Sequence, residues 1–357
     1  MPEHELYMER CLQLAALGAG NVAPNPMVGA ILVYNDRIIG EGYHQQYGKA
    51  HAEVNCIAAV KPEDKHLIPE SVLYVSLEPC AHHGKTPPCA DLIIAHKIPE
   101  VVIGCRDPFP LVNGRGIEKL MDAGVKVVHG VCEAQCKAMN RRFFIFHAQH
   151  RPYIILKWAQ SVNGIIGSSL QRIFITNEYT GRMVHKWRTE EAAIMVGTHT
   201  ALQDDPALTA RHWPGKSPVR IVIDMNLMLP PYLQLFDRSV PTIVFNMIRN
   251  TINDLDRDIT SSREVWYYQV TSDVSPVQQV LHALYHLKIQ SVLVEGGAKL
   301  IQSFAEENAW DEARVITNEQ LYLPEGLKAP EPGAARLSFS ERLLTDRIDY
   351  YRNPSIQ

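Results

Sequence analysis

Apolar and polar positions along the chain fall into short blocks whose period switches between that of a helix and that of a strand. Over residues 1–17 apolar side chains are interleaved with Glu3, Glu5, Glu9 and Arg10, the pattern of an amphipathic helix. The runs at 30–34 and 37–40 flank Asn35-Asp36 and predict a β-hairpin. Helical character returns at 51–60, and the apolar run Val72–Leu77 predicts a strand. A helix is expected to open at Glu78-Pro79-Cys80, with 89–96 continuing helical. A strand at 101–104, a helix at 116–123 and a strand at 125–129 complete an alternation that suits one three-layer α/β domain.

At 141–151 the text turns aromatic and basic (RRFFIFHAQHR), and the apolar run at 152–158 opens a second unit. The boundary is expected near residue 147, dividing the chain into domains 1–147 and 148–357. In the second domain strands are predicted at 193–196, 219–223, 242–245 and 291–294, and helices at 180–190, 277–287 and 299–307, so this half is again α/β.

Composition narrows the function. A chain of 357 residues exceeds one typical core, which supports two domains. A formal charge of −4 supplies no broad basic surface, so polymeric nucleic acid is excluded as the expected partner, while a local cationic pocket for one phosphorylated small molecule is not. No apolar run approaches the roughly 18 residues of a membrane span, and the first helix lacks a signal peptide's apolar core, so a cytoplasmic location is expected. Seven cysteines, an odd number, read better as thiols and metal ligands than as a disulfide framework.

The first half carries a metal signature. His51-Ala52-Glu53, then Pro79-Cys80 and Cys89, offers one imidazole and two thiolates, the donor set of a catalytic zinc that keeps a fourth position for water. Glu53, two residues past the histidine, is placed to pass protons beside that water. An H-x-E followed by P-C-x-x-C marks nucleobase deaminases; here the second part is stretched, with eight residues between Cys80 and Cys89. That loop would bring His82, His83, Lys85 or Thr86 near a substrate. Asn25 and His44 are candidates for substrate contact, or for structuring their loops. The remaining cysteines read as packing thiols.

The second half has no G-x-G-x-x-G, so a Rossmann dinucleotide site is not supported. Glu295-Gly296-Gly297-Ala298 instead joins a buried strand to a helix, where glycines would let a phosphate approach the helix N-terminus. The stretch 197–211 reads as a ligand loop with paired aspartates, and Arg188 and Arg211 are candidates for a substrate phosphate or else solvated surface arginines.

Taken together, P-N-P-M-V-G (24–29), G-Y-H (42–44), H-A-E (51–53), L-E-P-C-A-H-H-G-K-T-P-P-C (77–89), D-D-P-A-L-T-A-R (204–211) and V-E-G-G (294–297) resemble the bifunctional riboflavin biosynthesis family, a diaminohydroxyphosphoribosylaminopyrimidine deaminase joined to a 5-amino-6-(5-phosphoribosylamino)uracil reductase. The resemblance implies a cytidine-deaminase-like domain with Zn2+, then a dihydrofolate-reductase-like domain using NADPH. It implies removal of the amine at C2 of 2,5-diamino-6-(5-phosphoribosylamino)pyrimidin-4(3H)-one, then hydride delivery to C1′ of the ribosyl group. By motif, His51, Cys80 and Cys89 would bind zinc and Glu53 would be the proton donor. Ala159, Phe174, Thr200, Asp204 and the stretch Gly297, Ala298, Lys299, Leu300, Ile301, Gln302 and Ser303 would line NADPH. Asn25, His44, Lys85, Arg172, Arg188, Leu208, Arg211 and Glu295 would meet substrate. A homo-oligomer is implied as well. Departures lie in the second half: the usual S-x-D-G is Ser161-Val162-Asn163-Gly164, Arg172 stands where a small polar residue is usual, and the P-K-x-x-G stretch of the tail is missing. The nearest rival is another nucleoside or nucleobase zinc deaminase with an unrelated fused domain; a second is a zinc-stabilised scaffold without chemistry, for which Glu53 would have no use.

Overall fold

Five strands form the sheet of the first unit. In chain order the unit runs α1 (Pro2–Ala16), β1 (Gly29–Tyr34), β2 (Arg37–Tyr43), α2 (Ala52–Ala58), a 3-10 segment (Pro62–Glu70), β3 (Val72–Leu77), α3 (Cys89–Ala95), β4 (Glu100–Cys105), α4 (Arg115–Asp122), β5 (Lys126–His129), α5 (Glu133–Met139) and α6 (Arg141–Gln149). The sheet order is β2-β1-β3-β4-β5, with β1 antiparallel to both neighbours and β3, β4 and β5 parallel. Side chains leave a strand on alternate faces, and β1 shows the consequence. Ala30 and Leu32 join the cluster under α2, α3 and α4, with Cys56, Ile93 and Leu120; Ile31 and Val33 join the one under α1 and α5, with Met8, Cys11 and Cys136. The result is helix, sheet, helix.

The computed structural model describes residues 2–82, 87–110, 112–168, 173–252 and 258–355, and the chain divides into Met1–His150 and Arg151–Gln357. The division falls after the aromatic and basic stretch, which is helix α6 of the first unit rather than a junction.

The second unit runs β6 (Tyr153–Ser161), β7 (Ile165–Gly167), α7 (Glu178–Glu190), β8 (Ala193–Gly197), α8 (Thr198–Asp204), β9 (Val219–Ile223), a 3-10 turn (Gln234–Phe236), β10 (Thr242–Asn246), β11 (Val265–Gln269), α9 (Pro276–His286), β12 (Ser291–Glu295), α10 (Ala298–Glu306), β13 (Glu312–Asn318), β14 (Leu327–Lys328), β15 (Arg336–Leu343) and β16 (Asp346–Arg352). Nine strands make one sheet in the order β11-β10-β9-β8-β12-β6-β13-β16-β15, parallel from β11 to β13 and closed by two antiparallel strands. Its larger core packs Ile154, Met195, Ile221 and Val294 against Leu284 of α9 and Phe304 of α10. The C-terminal ends of β8, β12 and β6 lie side by side, the edge of an open α/β sheet where ligands bind.

Two expectations need correction. No helix opens at Glu78: the residue before a proline is held extended, and its N–H donates to the Cys105 carbonyl at 3.0 Å, so helix begins only at Cys89, after Pro88. The stretch 197–211 is not all loop either, since Thr198–Asp204 is helix α8, closed by Asp205 in the left-handed conformation.

Candidate functional site

His51 is the N-cap of α2 and Cys89 the first residue of α3, so two helix N-termini converge on one point. His51 Nδ1 lies 3.6 Å from Cys80 Sγ and 3.3 Å from Cys89 Sγ, and these atoms all fall within 4.8 Å of one another. A tetrahedral zinc with Zn–N of about 2.0–2.1 Å and Zn–S of about 2.3 Å spaces nitrogen from sulfur by about 3.5 Å. One imidazole and two soft sulfurs at this spacing therefore fit zinc. Among the described residues no other group of three or more His, Cys, Asp or Glu donors converges in this way.

Electrostatics follow from burial. The Cys89 thiol donates to Cys80, and with His51 lowers the Cys80 thiol well below its ordinary value; the same bond, with burial, pushes Cys89 far up. The Cys89 backbone N–H adds a bond to Cys80 Sγ at 3.4 Å. Glu53, 3 % exposed, is pushed up to about 7 by desolvation, with the Cys80 charge adding to it. A carboxyl near 7 can give and take a proton at neutral pH.

Asn25 and His44 form a pair beside this centre. The His44 ring meets that of His51 edge-on at 5.4 Å. His44 Nδ1 bonds the Ala50 carbonyl at 3.0 Å, so it carries the proton, and Nε2 accepts from the Asn25 amide at 3.2 Å. Desolvation lowers the His44 pKa. Asn25 is thus fixed with its NH2 toward His44. Asn140, which the motifs did not flag, clasps the same loop by accepting from Met27 N and donating to Met27 O, both at 2.8 Å.

Glu78 stands within L-E-P-C (77–80). Its buried carboxylate accepts from Asp107 N, Gly114 N, Gly116 N and Ile117 N at 3.0–3.4 Å. It thereby ties the Cys80 segment to the N-terminus of α4, where the positive end of the helix favours the carboxylate. His82 stands with its ring 6.0 Å from Phe109. His83, Lys85, Thr86 and Arg172 lie outside the described residues.

In the second unit Arg188 of α7 reaches Glu295 at the end of β12 in a two-pronged pair, Nε and Nη2 each 2.8 Å from a carboxylate oxygen. Its Nη1 donates to Thr209 O at 3.0 Å, and Lys157 Nζ lies 3.5 Å from the same carboxylate. Burial alone would raise the Glu295 carboxyl, but Arg188 and Lys157 outweigh it and hold it at about 2. Leu208 is buried nearby in sequence with φ +50°, and Arg211 is exposed.

Past Glu295 the chain turns on Gly296 and Gly297, at φ +109° and +74°, a region that side-chain-bearing residues rarely adopt. A Cβ on Gly297 would stand 3.2 Å from Thr200 Oγ1, and one on Gly296 3.3 Å from Thr200 Cγ2. Thr200 therefore packs on the turn that opens α10. This bare backbone at a helix N-terminus suits a phosphate-bearing cofactor. Ala298, Lys299, Gln302 and Ser303 line a groove of about 390 Å³ together with Glu306, Lys328, Ala329 and Pro330. Leu300 is partly buried, and Ile301 lies with its side chain wholly in the core. Ala159 is half-buried on β6, Asp204 is the last residue of α8, and Phe174 is exposed.

Asn163 occupies the S-x-D-G departure. Its Oδ1 accepts from Ser161 Oγ at 2.8 Å and Leu323 N at 3.2 Å, while its Nδ2 donates to Leu323 O at 2.7 Å. Aspartate could not make the last bond. We therefore expect Asn163→Asp to lower the unfolding free energy by about 1 kcal/mol, the worth of one such bond. An unchanged denaturation midpoint would show that the clasp contributes nothing.

Comparison with known proteins covers both units. Residues 1–105 match the model of the cytidine and deoxycytidylate deaminase zinc-binding region, and residues 152–318 match that of the RibD C-terminal domain. The riboflavin biosynthesis protein RibD of Aquifex aeolicus is 36% identical over 349 residues, covering 96% of this chain and 94% of that protein. A diaminohydroxyphosphoribosylaminopyrimidine deaminase/5-amino-6-(5-phosphoribosylamino)uracil reductase from Thermotoga maritima superposes with a TM-score of 0.85 at 32% identity, covering 98% of this chain and 99% of that one. Acinetobacter baumannii RibD gives 0.86 at 28% identity, with the same coverage. The first unit is accordingly cytidine-deaminase-like and the second dihydrofolate-reductase-like, and a fused unrelated domain is not what these matches describe.

Proposed function

The chain belongs to the family of the riboflavin biosynthesis protein RibD, and on that premise we propose how its own residues divide the work. It is a bifunctional enzyme of riboflavin biosynthesis, a zinc-dependent deaminase followed by an NADPH-dependent reductase. The substrate is a phosphoribosylated diaminopyrimidine. Water adds at C2 and ammonia leaves, so the amine is exchanged for a carbonyl; NADPH, when bound, would supply the hydride for C1′, with a proton completing the ribityl chain.

His51, Cys80 and Cys89 would hold the zinc, which when bound supplies an acidified water and an electrophilic centre. Glu53 would take one proton from the attacking water and pass it to the ring nitrogen, then take the second from the hydroxyl of the C2 adduct and pass it to the amine, which leaves as ammonia as the carbonyl forms. Its burial supports this role, because a desolvated carboxyl near 7 is matched to both transfers. Asn25, its NH2 engaged by neutral His44, presents its oxygen to the pyrimidine. In the reductase, Thr200, Gly296 and Gly297 with the start of α10 would receive the cofactor's phosphates. Arg188 and Glu295 hold each other as a rigid wall of the substrate site, and Arg211 is the cation for the ribosyl phosphate.

The observation that carries the reading is the meeting of one imidazole and two sulfurs beside a buried carboxylate. The test supplies the diaminopyrimidine phosphate and follows ammonia release and NADPH oxidation separately. Ammonia without NADPH consumption would defeat the reductase half; NADPH consumption only on deaminated substrate would support the order of steps.

All seven cysteines are free thiols, as a reducing cytoplasm keeps them, and no described helix is long and apolar enough to cross a membrane. Edge strand β15 leaves Leu337 and Phe339 exposed, and an uncovered apolar edge favours association. We expect a homo-oligomer, and a light-scattering mass of one chain would rule it out.

A further inference from the structure

Helix α9 carries two histidines that neither active site uses. Its start is fixed by Pro276 at the first turn and by Ser275, whose hydroxyl accepts from Gln278 N at 3.4 Å. Val277, Val280, Leu281, Ala283 and Leu284 anchor one face in the core of the second unit. His282 and His286 stand on the other face, both exposed. They are four residues apart, so their rings meet one turn above the other, with centroids 4.4 Å apart. Their Nε2 atoms are 3.1 Å apart.

Two exposed imidazoles joined by an N–H···N contact gain little from it, since water competes for both nitrogens. The distance has a second meaning. A divalent ion with metal–nitrogen bonds of about 2.0–2.1 Å sets neighbouring ligands about 3.0 Å apart in an octahedron and about 3.4 Å apart in a tetrahedron. The observed 3.1 Å falls between these values. Both rings need only present a bare Nε2, with the proton on Nδ1, which is how neutral imidazole ligates. We propose that His282 and His286 form a second metal site, a two-imidazole clip for a late first-row divalent ion.

Imidazole donors select nickel, copper and zinc over magnesium or calcium, which prefer oxygen. Water completes the coordination, because the face is open to solvent. The helix is already in place, so binding requires no folding and no backbone movement. The site shares no residue with His51, Cys80 and Cys89, and it has no thiolate, so it loads after the deaminase centre and releases its ion first. Metal content measured on protein prepared with excess metal therefore exceeds one ion per chain, and the surplus belongs to α9.

The experiment uses the full chain, already loaded with one zinc, dialysed against increasing Ni2+. One further Ni2+ per chain is expected. His282→Gln and His286→Gln should each weaken its uptake at least ~10-fold, because each removes half of the protein's donor set. Ammonia release and NADPH consumption should stay at wild-type rates in both variants, which also shows that they are folded. Failure of the zinc-loaded chain to take up Ni2+, or equal uptake by both variants and the wild type, would overturn the assignment.

Discussion

Replacing Glu53 with glutamine should slow ammonia release from the diaminopyrimidine phosphate by roughly 10²–10⁴-fold, the usual worth of a positioned general acid/base. Zinc content and NADPH consumption on the deaminated substrate should not change. The side chain is buried within α2, and glutamine fills the same space, so the scaffold has no reason to collapse. His51, Cys80 and Cys89 are untouched, and the Cys89 thiol, which hydrogen-bonds the Glu53 side chain, keeps an acceptor in the amide oxygen of glutamine. What the amide lacks is a group that ionises near neutral pH, whereas burial brings the Glu53 carboxyl up to about 7. A variant that kept zinc and retained ammonia release within about threefold of wild type would remove Glu53 from the chemistry. Loss of zinc instead would make it a structural residue of the site.

This centre was legible because its chemistry is local in sequence. H-A-E puts ligand and carboxylate on one turn, and the apolar run Val72–Leu77 is the strand that leads to Cys80. What escaped were roles assembled across the fold. Glu78 gains its function only when residues 107–117 bring four N–H groups to it, and Asn140 only when it reaches Met27 across 113 positions. Strands β15 and β16 escaped for another reason. Alternation is visible in sequence when one face is buried, and β15 is exposed along most of its length. The helix expected at Glu78 failed on Pro79, whose effect on the residue before it outweighed the apolar context. Asn163 departs from the usual S-x-D-G, and its NH2 is used by the Leu323 carbonyl, a contact that no local pattern announces.

Glu295→Gln is expected to destabilise the second unit by about 3 kcal/mol, because removing one partner of a buried ion pair leaves the other charge without compensation. Here the stranded charges are two, Arg188 and Lys157, whose side chains are 12% and 14% exposed. The same carboxylate stands at the end of β12, one residue before the glycine turn, so its loss should also reduce NADPH consumption while leaving ammonia release intact. The pH dependence has a fixed sign. Arg188 and Lys157 overcome burial and hold the folded carboxyl at about 2, below the roughly 4.3 of an unfolded glutamate. A depressed pKa contributes stability that is fully present above the unfolded value and is lost as pH falls toward the folded one. Wild type should therefore lose stability between about pH 4 and 2 more steeply than Glu295→Gln, the difference coming from this one group. Denaturant midpoints measured for both proteins across that range decide it: parallel curves would mean that Glu295 is not the group that Arg188 and Lys157 hold ionised.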